Sequence, residues 1–247
     1  MKSSRFSSKA IVIHRENFGE ADQYVEFLTH DWGLITAMAR SARKSRRRYA
    51  GGLDIFCHDE IFLRGNPRET PYLEELTVLN SFLKLRDHLE RLIVAGKIVH
   101  WIRKLPEPGH RAPWVYRLLG QTLSLLEQEE GPARMELLAL VFKLKLLTVL
   151  GLKPNTDSCI RCETPLPENT DLAFDLAAGG MTCPPCAGPL GEFGHLLTTL
   201  EHLFIRNSSH LRLSTWPVIQ FPENLTTKLH HIVTRFASYH TGLRLPL

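Results

Sequence analysis

Cys159-Ile-Arg-Cys162 and Cys183-Pro-Pro-Cys186 are the two stretches that decide the fold around them. In each stretch, two intervening residues let both sulfurs face one point, and the second pair can complete a tetrahedron of thiolates. The segment between them, residues 163–182, is poor in large apolar residues and carries turn signals such as Gly179-Gly180. Because such a segment cannot form a hydrophobic core of its own, it needs a cross-link to hold its fold. The C-x2-C, long gap, C-x2-C spacing is typical of structural zinc sites. We therefore predict a zinc finger at about residues 155–190, with zinc held by Cys159, Cys162, Cys183 and Cys186.

Three other interpretations of these cysteines stay open. Disulfides are disfavoured because the sequence shows no secretory signal, which predicts a reduced, cytoplasmic setting. A thioredoxin-like redox centre has one C-x-x-C motif near a βαβ unit, whereas two pairs occur here in a loop-rich stretch. A zinc deaminase has a proline before its C-x-x-C motif and an open metal position, whereas Thr182 precedes Cys183. The fifth cysteine, Cys57, follows Ile55 and Phe56, and we predict that it is a small buried hydrophobe.

The composition indicates an ordinary globular protein of one large or two smaller domains. The chain has 247 residues, of which 43% are hydrophobic and 23% charged, with a net charge of +4. The richest apolar run, residues 137–150, is interrupted by Lys143 and Lys145, so no membrane span is predicted.

Residues 1–80 have the pattern of a small closed β-sheet. Five short apolar-rich stretches alternate with turn signals such as Trp32-Gly33 and Gly65-Asn66-Pro67. Their number and length predict an OB-type β-barrel. The predicted strands lie within residues 10–13, 24–28, 34–39, 53–63 and 73–79.

From about Ser81 the apolar residues recur every three or four positions, which indicates helices. We predict helices at about 82–105, 113–126, 133–150, 196–205 and 224–239. The third is apolar nearly all round, so it should be the buried centre of its domain, and Gly151 should cap its end. Its Lys143 and Lys145 could form a second basic strip or mark a solvent edge. The predicted fold class is therefore α+β multidomain, with a five-stranded OB-type β-barrel over residues 1–80 and a mainly helical domain over 81–247 that contains the zinc finger.

Residues 1–80 carry nearly equal numbers of basic and acidic side chains, and their basic charge is concentrated in residues 40–48, which we name the basic segment. Aromatic residues flank it, namely Trp32, Tyr49 and Phe56. A basic stripe with stacking residues on an OB-type barrel is typical of proteins that hold single strands without sequence preference. A solvated loop, a membrane surface or an acidic protein partner are the alternatives. The candidate DNA-binding residues are Arg40, Arg43, Lys44, Arg46, Arg47 and Arg48.

The sequence contains none of the common active-site motifs. It has no phosphate-binding G-x-x-x-x-G-K-S/T loop, no G-x-G-x-x-G after a strand, no G-x-S-x-G elbow and no H-E-x-x-H. We therefore expect a protein that is not an enzyme. The competing hypotheses are a DNA-binding protein, a zinc-ribbon interaction module whose basic loop meets an acidic protein, and a metal-dependent nucleic-acid enzyme.

In its motifs the chain resembles the bacterial DNA repair and recombination mediator family RecO. The matching stretches cover nearly the whole chain in order, although the last fifty residues add little. They are residues 19–29, Gly33, residues 39–44, Gly151-Leu152, Cys159-x-x-Cys162, Phe174 and Gly179-Gly180-x-x-Cys183-x-x-Cys186.

The resemblance implies an N-terminal OB-fold and a helical C-terminal domain with a zinc finger. It implies binding of single- and double-stranded DNA, annealing of complementary strands, and action with RecR, and in some pathways RecF. Such proteins help RecA displace single-strand binding protein, whose acidic, apolar tail would dock on the helical domain. The setting would be the cytoplasm, at the nucleoid.

Overall fold

The computed structural model describes residues 4–45, 48–49, 51–105, 109, 112–189, 191, 194–218 and 225–246. The chain divides into two compact units, which we name the barrel unit (residues 1–95 and 107–128) and the helical unit (residues 96–106 and 129–247). The predicted domain boundary at residue 80 stays a prediction. Among the described residues, no helix has the length and apolar character needed to cross a membrane.

The barrel unit contains the predicted five-stranded barrel, which is confirmed. Neighbouring strands follow the order β1-β2-β3-β5-β4 around the barrel. All pairs are antiparallel except β3 with β5, which meet in parallel at Met38 and Tyr72. The strands are β1 (Arg5–Phe18), β2 (Asp22–Thr29), β3 (Gly33–Ala39), β4 (His58–Arg64) and β5 (Tyr72–Asn80).

Alternation along the strands separates the barrel interior from its outside. On β3, Ile35 and Ala37 are buried in the barrel core, whereas Thr36 between them is exposed. On β1, Val12 belongs to this core, while Ile11 is also buried because its Cδ1 lies near Gly120 of α2 (Ala112–Leu126). The helix α2 thus covers the outer face of β1, and it also contacts β2 and β3.

The predicted strand over residues 53–63 begins only at His58, so its first part is wrong. Residues 53–57 form a loop in which Phe56 has a positive φ of 77°. The loop is fixed to β1 because Val12 N–H donates to Cys57 O at 2.9 Å and Phe56 N–H donates to Val12 O at 2.8 Å. Cys57 is 1% exposed, as predicted.

The helical unit is built on α3 (Pro132–Leu150), which is buried nearly all round, as predicted. It packs against α4 (Thr199–His210) and α5 (Thr226–Thr241). Gly151 ends α3 in the left-handed conformation, and its N–H donates to the carbonyl oxygens of Leu147 and Thr148. The helix α1 (Leu89–Lys104), which precedes α2 in the chain, contributes its residues up to 95 to the barrel unit and the rest to the helical unit.

Lys143 forms neither a basic surface strip nor a solvent edge, because its side chain is buried inside the helical unit. Its Nζ lies 4.5 Å from the centroid of the Trp101 ring and 3.4 Å from Thr234 Oγ1. Loss of hydration lowers its pKa to about 8. The lysine thus fills a core position through its stem and a cation–π contact.

The segment around the cysteines carries a small sheet of order β7-β6-β8. Its strands are β6 (Leu172–Asp175), β7 (Gly180–Thr182) and β8 (Gly194–Leu197). The helix predicted from residue 196 starts only at Thr199, because Leu196 pairs with Ala173 across β8 and β6. Thr198 and Glu201 form a capping box at the true start of the helix.

Candidate metal centre and nucleic-acid interface

The four predicted zinc ligands converge. The Sγ atoms of Cys159, Cys162, Cys183 and Cys186 all lie within 4.8 Å of one another, and those of Cys162 and Cys183 are 3.6 Å apart. A tetrahedral ion with Zn–S distances of 2.3 Å holds its sulfurs about 3.8 Å apart. The donor set therefore fits one tetrahedral ion, and the four cysteines form a candidate metal site.

The backbone of the first cysteine pair forms a tight knuckle. Cys159 N–H donates to Thr164 O at 2.8 Å, and Glu163, with a φ of 61°, donates its N–H to Cys159 O at 2.9 Å. The N–H groups of Arg161 and Cys183 each lie 3.4 Å from Cys159 Sγ. Donors aimed at this sulfur favour its thiolate form and orient it towards the other three cysteines.

Gly180 lets the second cysteine pair approach the first. A Cβ at this position would lie 2.5 Å from Ile160 Cγ2 and 2.7 Å from Asn155 O. This contact lets Ile160 N–H donate to Met181 O at 3.0 Å, so β7 is fixed to the first knuckle just before Cys183. The glycine is therefore required by close packing beside the metal site.

The basic segment follows β3. Arg40, Arg43 and Lys44 are exposed, and so is Arg48, while Arg46 and Arg47 lie outside the described residues. The start of the segment is anchored on the turn between β1 and β2, because Ser41 N–H donates to Asp22 Oδ1 at 2.7 Å and Arg43 N–H donates to Ala21 O at 3.0 Å. The start of the basic segment, which carries Arg40, Arg43 and Lys44, is thus held at the end of β3.

Two of the three flanking aromatic residues cannot stack on a ligand. Tyr49 and Phe56 are 2% and 6% exposed. The Tyr49 hydroxyl donates a hydrogen bond to Leu73 O at 3.2 Å inside the barrel unit. Burial raises the pKa of this hydroxyl. Trp32, in contrast, is 47% exposed. Of these three aromatic residues, Trp32 alone is exposed enough to stack on a ligand, and that role stays a prediction.

The closed barrel places three residues near the start of the basic segment that the sequence analysis did not predict, namely Arg5, Arg64 and Tyr72. Arg5 pairs with Arg64 across β1 and β4, and Arg64 pairs with Tyr72 across β4 and β5. The Arg40 guanidinium carbon lies 4.3 Å from the centroid of the Tyr72 ring, and that of Arg64 lies 5.8 Å from it. The ring is therefore shared by two cations from different strands.

Glu74 contacts three arginines, among them Arg64 beside the Tyr72 ring. Its carboxylate accepts from Arg5 Nε at 2.8 Å and from Arg64 Nε at 3.1 Å, and its backbone oxygen accepts from Arg48 Nε at 3.0 Å. These contacts orient several guanidinium groups while one acid only partly neutralises them. We name this group the arginine cluster; it consists of Arg5, Arg40, Arg48, Arg64 and Tyr72.

Two family descriptions match the chain. Recombination protein O N terminal matches residues 1–82, and Recombination protein O C terminal matches residues 86–247. The chain belongs to the RecO family. Similar RecO proteins include the DNA repair protein RecO of Myxococcus xanthus, which is 30% identical over 98% of this chain and 94% of that one.

Two other RecO relatives are similar over a shorter region. The DNA repair protein RecO of an Anaeromyxobacter species is 34% identical over 75% of this chain and 72% of its own length. The DNA repair protein RecO of Dehalococcoides mccartyi is 31% identical over 75% of this chain and 71% of its own length. The resemblance inferred from the sequence motifs is therefore confirmed.

Proposed function

We propose that this chain is a DNA-binding recombination and repair mediator that does not act as an enzyme. It binds single- and double-stranded DNA through the barrel unit, anneals complementary strands, and helps load RecA onto DNA coated with single-strand binding protein. The observation that carries this proposal is the arginine cluster, which continues from the basic segment at the end of β3.

The chemistry of the cluster suits phosphates. Guanidinium groups bind phosphate oxygens with two parallel hydrogen bonds, and exposed cations release counterions from DNA when they bind. Stacking of Arg40 on Tyr72 restricts its side chain before DNA arrives, so less conformational entropy is lost on binding. We assign phosphate contacts to Arg40, Arg43, Lys44, Arg46, Arg47 and Arg48, with Arg5 and Arg64 added by the barrel.

The proposed metal is zinc with a structural role. Four thiolates fill a tetrahedral shell and leave no position for a catalytic water, so the ion would supply folding energy. Annealing itself needs no general acid, base or nucleophile, because a basic surface that lowers the repulsion between two polyanions is sufficient.

The partners are proposed from membership of the RecO family. We propose that the chain acts with RecR, and in some pathways RecF, and that RecA benefits indirectly. The helical unit would receive the acidic, apolar tail of single-strand binding protein. The protein would act at the nucleoid in the cytoplasm.

A zinc-ribbon interaction module is the second candidate, because the same arginines could meet an acidic protein. The test is binding of labelled single- and double-stranded DNA over a salt series, for wild type and for Arg46→Ala/Arg47→Ala/Arg48→Ala. Loss of three phosphate contacts should flatten the slope of log affinity against log salt by up to about 2 for single strands.

The matched control is Arg15→Ala/Lys84→Ala/Arg117→Ala, which removes the same charge from exposed positions outside both the basic segment and the arginine cluster. We expect it to keep the wild-type slope within error. Wild type that binds no DNA even at low salt would refute the mediator proposal and favour the interaction module. Equal slopes for the two triple variants would show that net charge, and not the basic segment, holds DNA.

A further inference from the structure

A groove of about 860 Å³ lies beside β3 in the barrel unit. Trp32, in the turn before β3, forms one wall, and the loop of residues 66–70 between β4 and β5 forms another. The Trp32 ring packs on Phe6 with an interplanar angle of 67° and a centroid distance of 5.5 Å. This contact holds the ring in place while nearly half of the residue stays exposed to the groove and solvent.

The outer face of β3 joins the groove to the arginine cluster. Leu34 and Thr36 line the groove, Met38 follows on the same face, and Arg40 belongs to the cluster. At 3.3 Å per residue, the distance along the chain from residue 34 to residue 40, which directly follows β3, is about 20 Å. This length suits a few nucleotides of an extended strand, near the lower end of the site sizes of OB folds, about 4 to 16 nucleotides.

The charges differ between the two ends of this face. In the groove, Arg68 is accompanied by Asp31 and Glu69. Asp31 accepts from Ser8 Oγ at 2.7 Å, and this hydrogen bond, with a contribution from His30, lowers its pKa, so it stays ionised. The groove therefore does not attract phosphates, but it offers an aromatic wall and polar groups to an uncharged ring. The cationic groups that would bind the phosphates lie at the other end of this face, in the arginine cluster.

We propose that this groove is a subsite for one unpaired nucleobase, with Trp32 as the surface on which the base stacks. The inference deepens the DNA-binding function proposed above and rests on it. The base enters the groove while the backbone follows the outer face of β3 to the arginine cluster. In a duplex both faces of each base are already stacked, so the subsite serves single strands and contributes little to duplex binding.

The test compares Trp32→Ala with Trp114→Ala on a labelled single-stranded oligonucleotide and on a duplex of the same length. Trp114 is the matched control because it is 61% exposed on α2, outside the groove. Stacking of one base is worth about 1–3 kcal/mol, so Trp32→Ala should bind the single strand roughly 5- to 150-fold more weakly. Binding of the duplex should change less than about twofold, and Trp114→Ala should resemble wild type for both ligands.

A second measurement, of tryptophan fluorescence, reports directly on contact between the Trp32 ring and a base. Quenching of tryptophan fluorescence by the single strand should persist in Trp114→Phe and be mostly lost in Trp32→Phe. Trp32→Phe should also restore part of the affinity lost in Trp32→Ala, since a smaller ring still stacks. Melting curves that match wild type show that the variants are folded.

The outcomes separate this inference from the proposed function. If wild type binds single strands and Trp32→Ala binds them equally well, the base subsite is refuted while the DNA-binding function stands. Equal weakening on single strand and duplex would also refute stacking, because a phosphate contact or a general disturbance would then explain the loss. If wild type binds neither ligand, both proposals fail.

Discussion

Asp59 is a carboxylic acid enclosed within the barrel unit. It has no exposed surface, and neither carboxylate oxygen has a hydrogen-bond partner among the described residues. Gly52 packs against it so closely that an added Cβ would lie 2.9 Å from Asp59 Oδ1. Burial without compensating hydrogen bonds disfavours the charged form and raises its pKa to about 7. The folded barrel thus favours a neutral acid at this position.

The buried acid predicts how the stability of the barrel depends on pH. An unfolded aspartate ionises near pH 4 but Asp59 near pH 7, so the folded state binds more protons between these values. The free energy of unfolding should therefore fall as pH rises from about 4 to 7. Asp59→Asn should remove this loss and stabilise the protein at pH 8 by at most roughly 4 kcal/mol, less the cost of unmade amide hydrogen bonds.

Thermal melting at pH 5 and pH 8 measures this effect. The matched control is Asp54→Asn, which changes a side chain that is 48% exposed and contacts Arg15. The control should keep the wild-type dependence on pH, although it loses an ion pair at the surface. If Asp59→Asn and wild type melt with the same dependence on pH, the carboxyl is not held neutral.

At the scale of elements, periodicity predicted most strands and helices but not where β8 ends and α4 begins. Leu196, Leu197 and Leu200 have helical spacing, yet the first two belong to a strand because β6 offers them hydrogen bonds. Tertiary pairing decides this boundary, and no local pattern contains it. The capping box of Thr198 and Glu201 was the signal that could have located the helix start.

The candidate site was predictable where ligands lie close in sequence. The two C-x-x-C pairs predicted a cluster of four cysteines, and the structure brings them together. Arg5, Arg64 and Tyr72 were missed because each is an ordinary residue at a strand end, far from the others in the chain. The register of β1, β4 and β5 brings them together, and that register follows from barrel closure.

We predict that the stability of the fold around the four cysteines depends on bound zinc. Cys159→Ser and Cys183→Ser each remove a ligand, so bound zinc should fall from one ion per chain towards none. The melting temperature should drop by roughly 10 °C or more because structural zinc contributes several kcal/mol of folding energy. Cys57→Ala is the control, since this buried thiol lies in the barrel unit and should leave zinc content unchanged. Normal zinc content in both serine variants would contradict the assignment.

At the scale of the whole molecule, the distribution of charge matters more than its sum. The chain carries 30 Lys and Arg against 26 Asp and Glu, a net charge of only +4. Such a small excess spread evenly would attract DNA weakly, so in the proposed function the basic segment and the arginine cluster provide most of the attraction. Binding and annealing should therefore share one dependence on salt.

We predict that the protein accelerates annealing of complementary oligonucleotides at low salt, without nucleotide or divalent cation. The acceleration by the protein should fall with salt over the same range as DNA binding, because salt ions compete with the same cationic side chains for the phosphates. Arg46→Ala/Arg47→Ala/Arg48→Ala should slow annealing by roughly tenfold, as expected for lost phosphate contacts, while Arg15→Ala/Lys84→Ala/Arg117→Ala should not.

A fluorescence-quenching assay of strand pairing measures this rate, and a denaturing gel of the products shows whether the strands stay intact. Intact strands and an unchanged rate in the presence of EDTA fit a mediator whose ion only stabilises the fold. Shortened strands that depend on added divalent metal would instead indicate a nucleic-acid enzyme. Such a result would require an open metal position, which a shell of four thiolates does not leave.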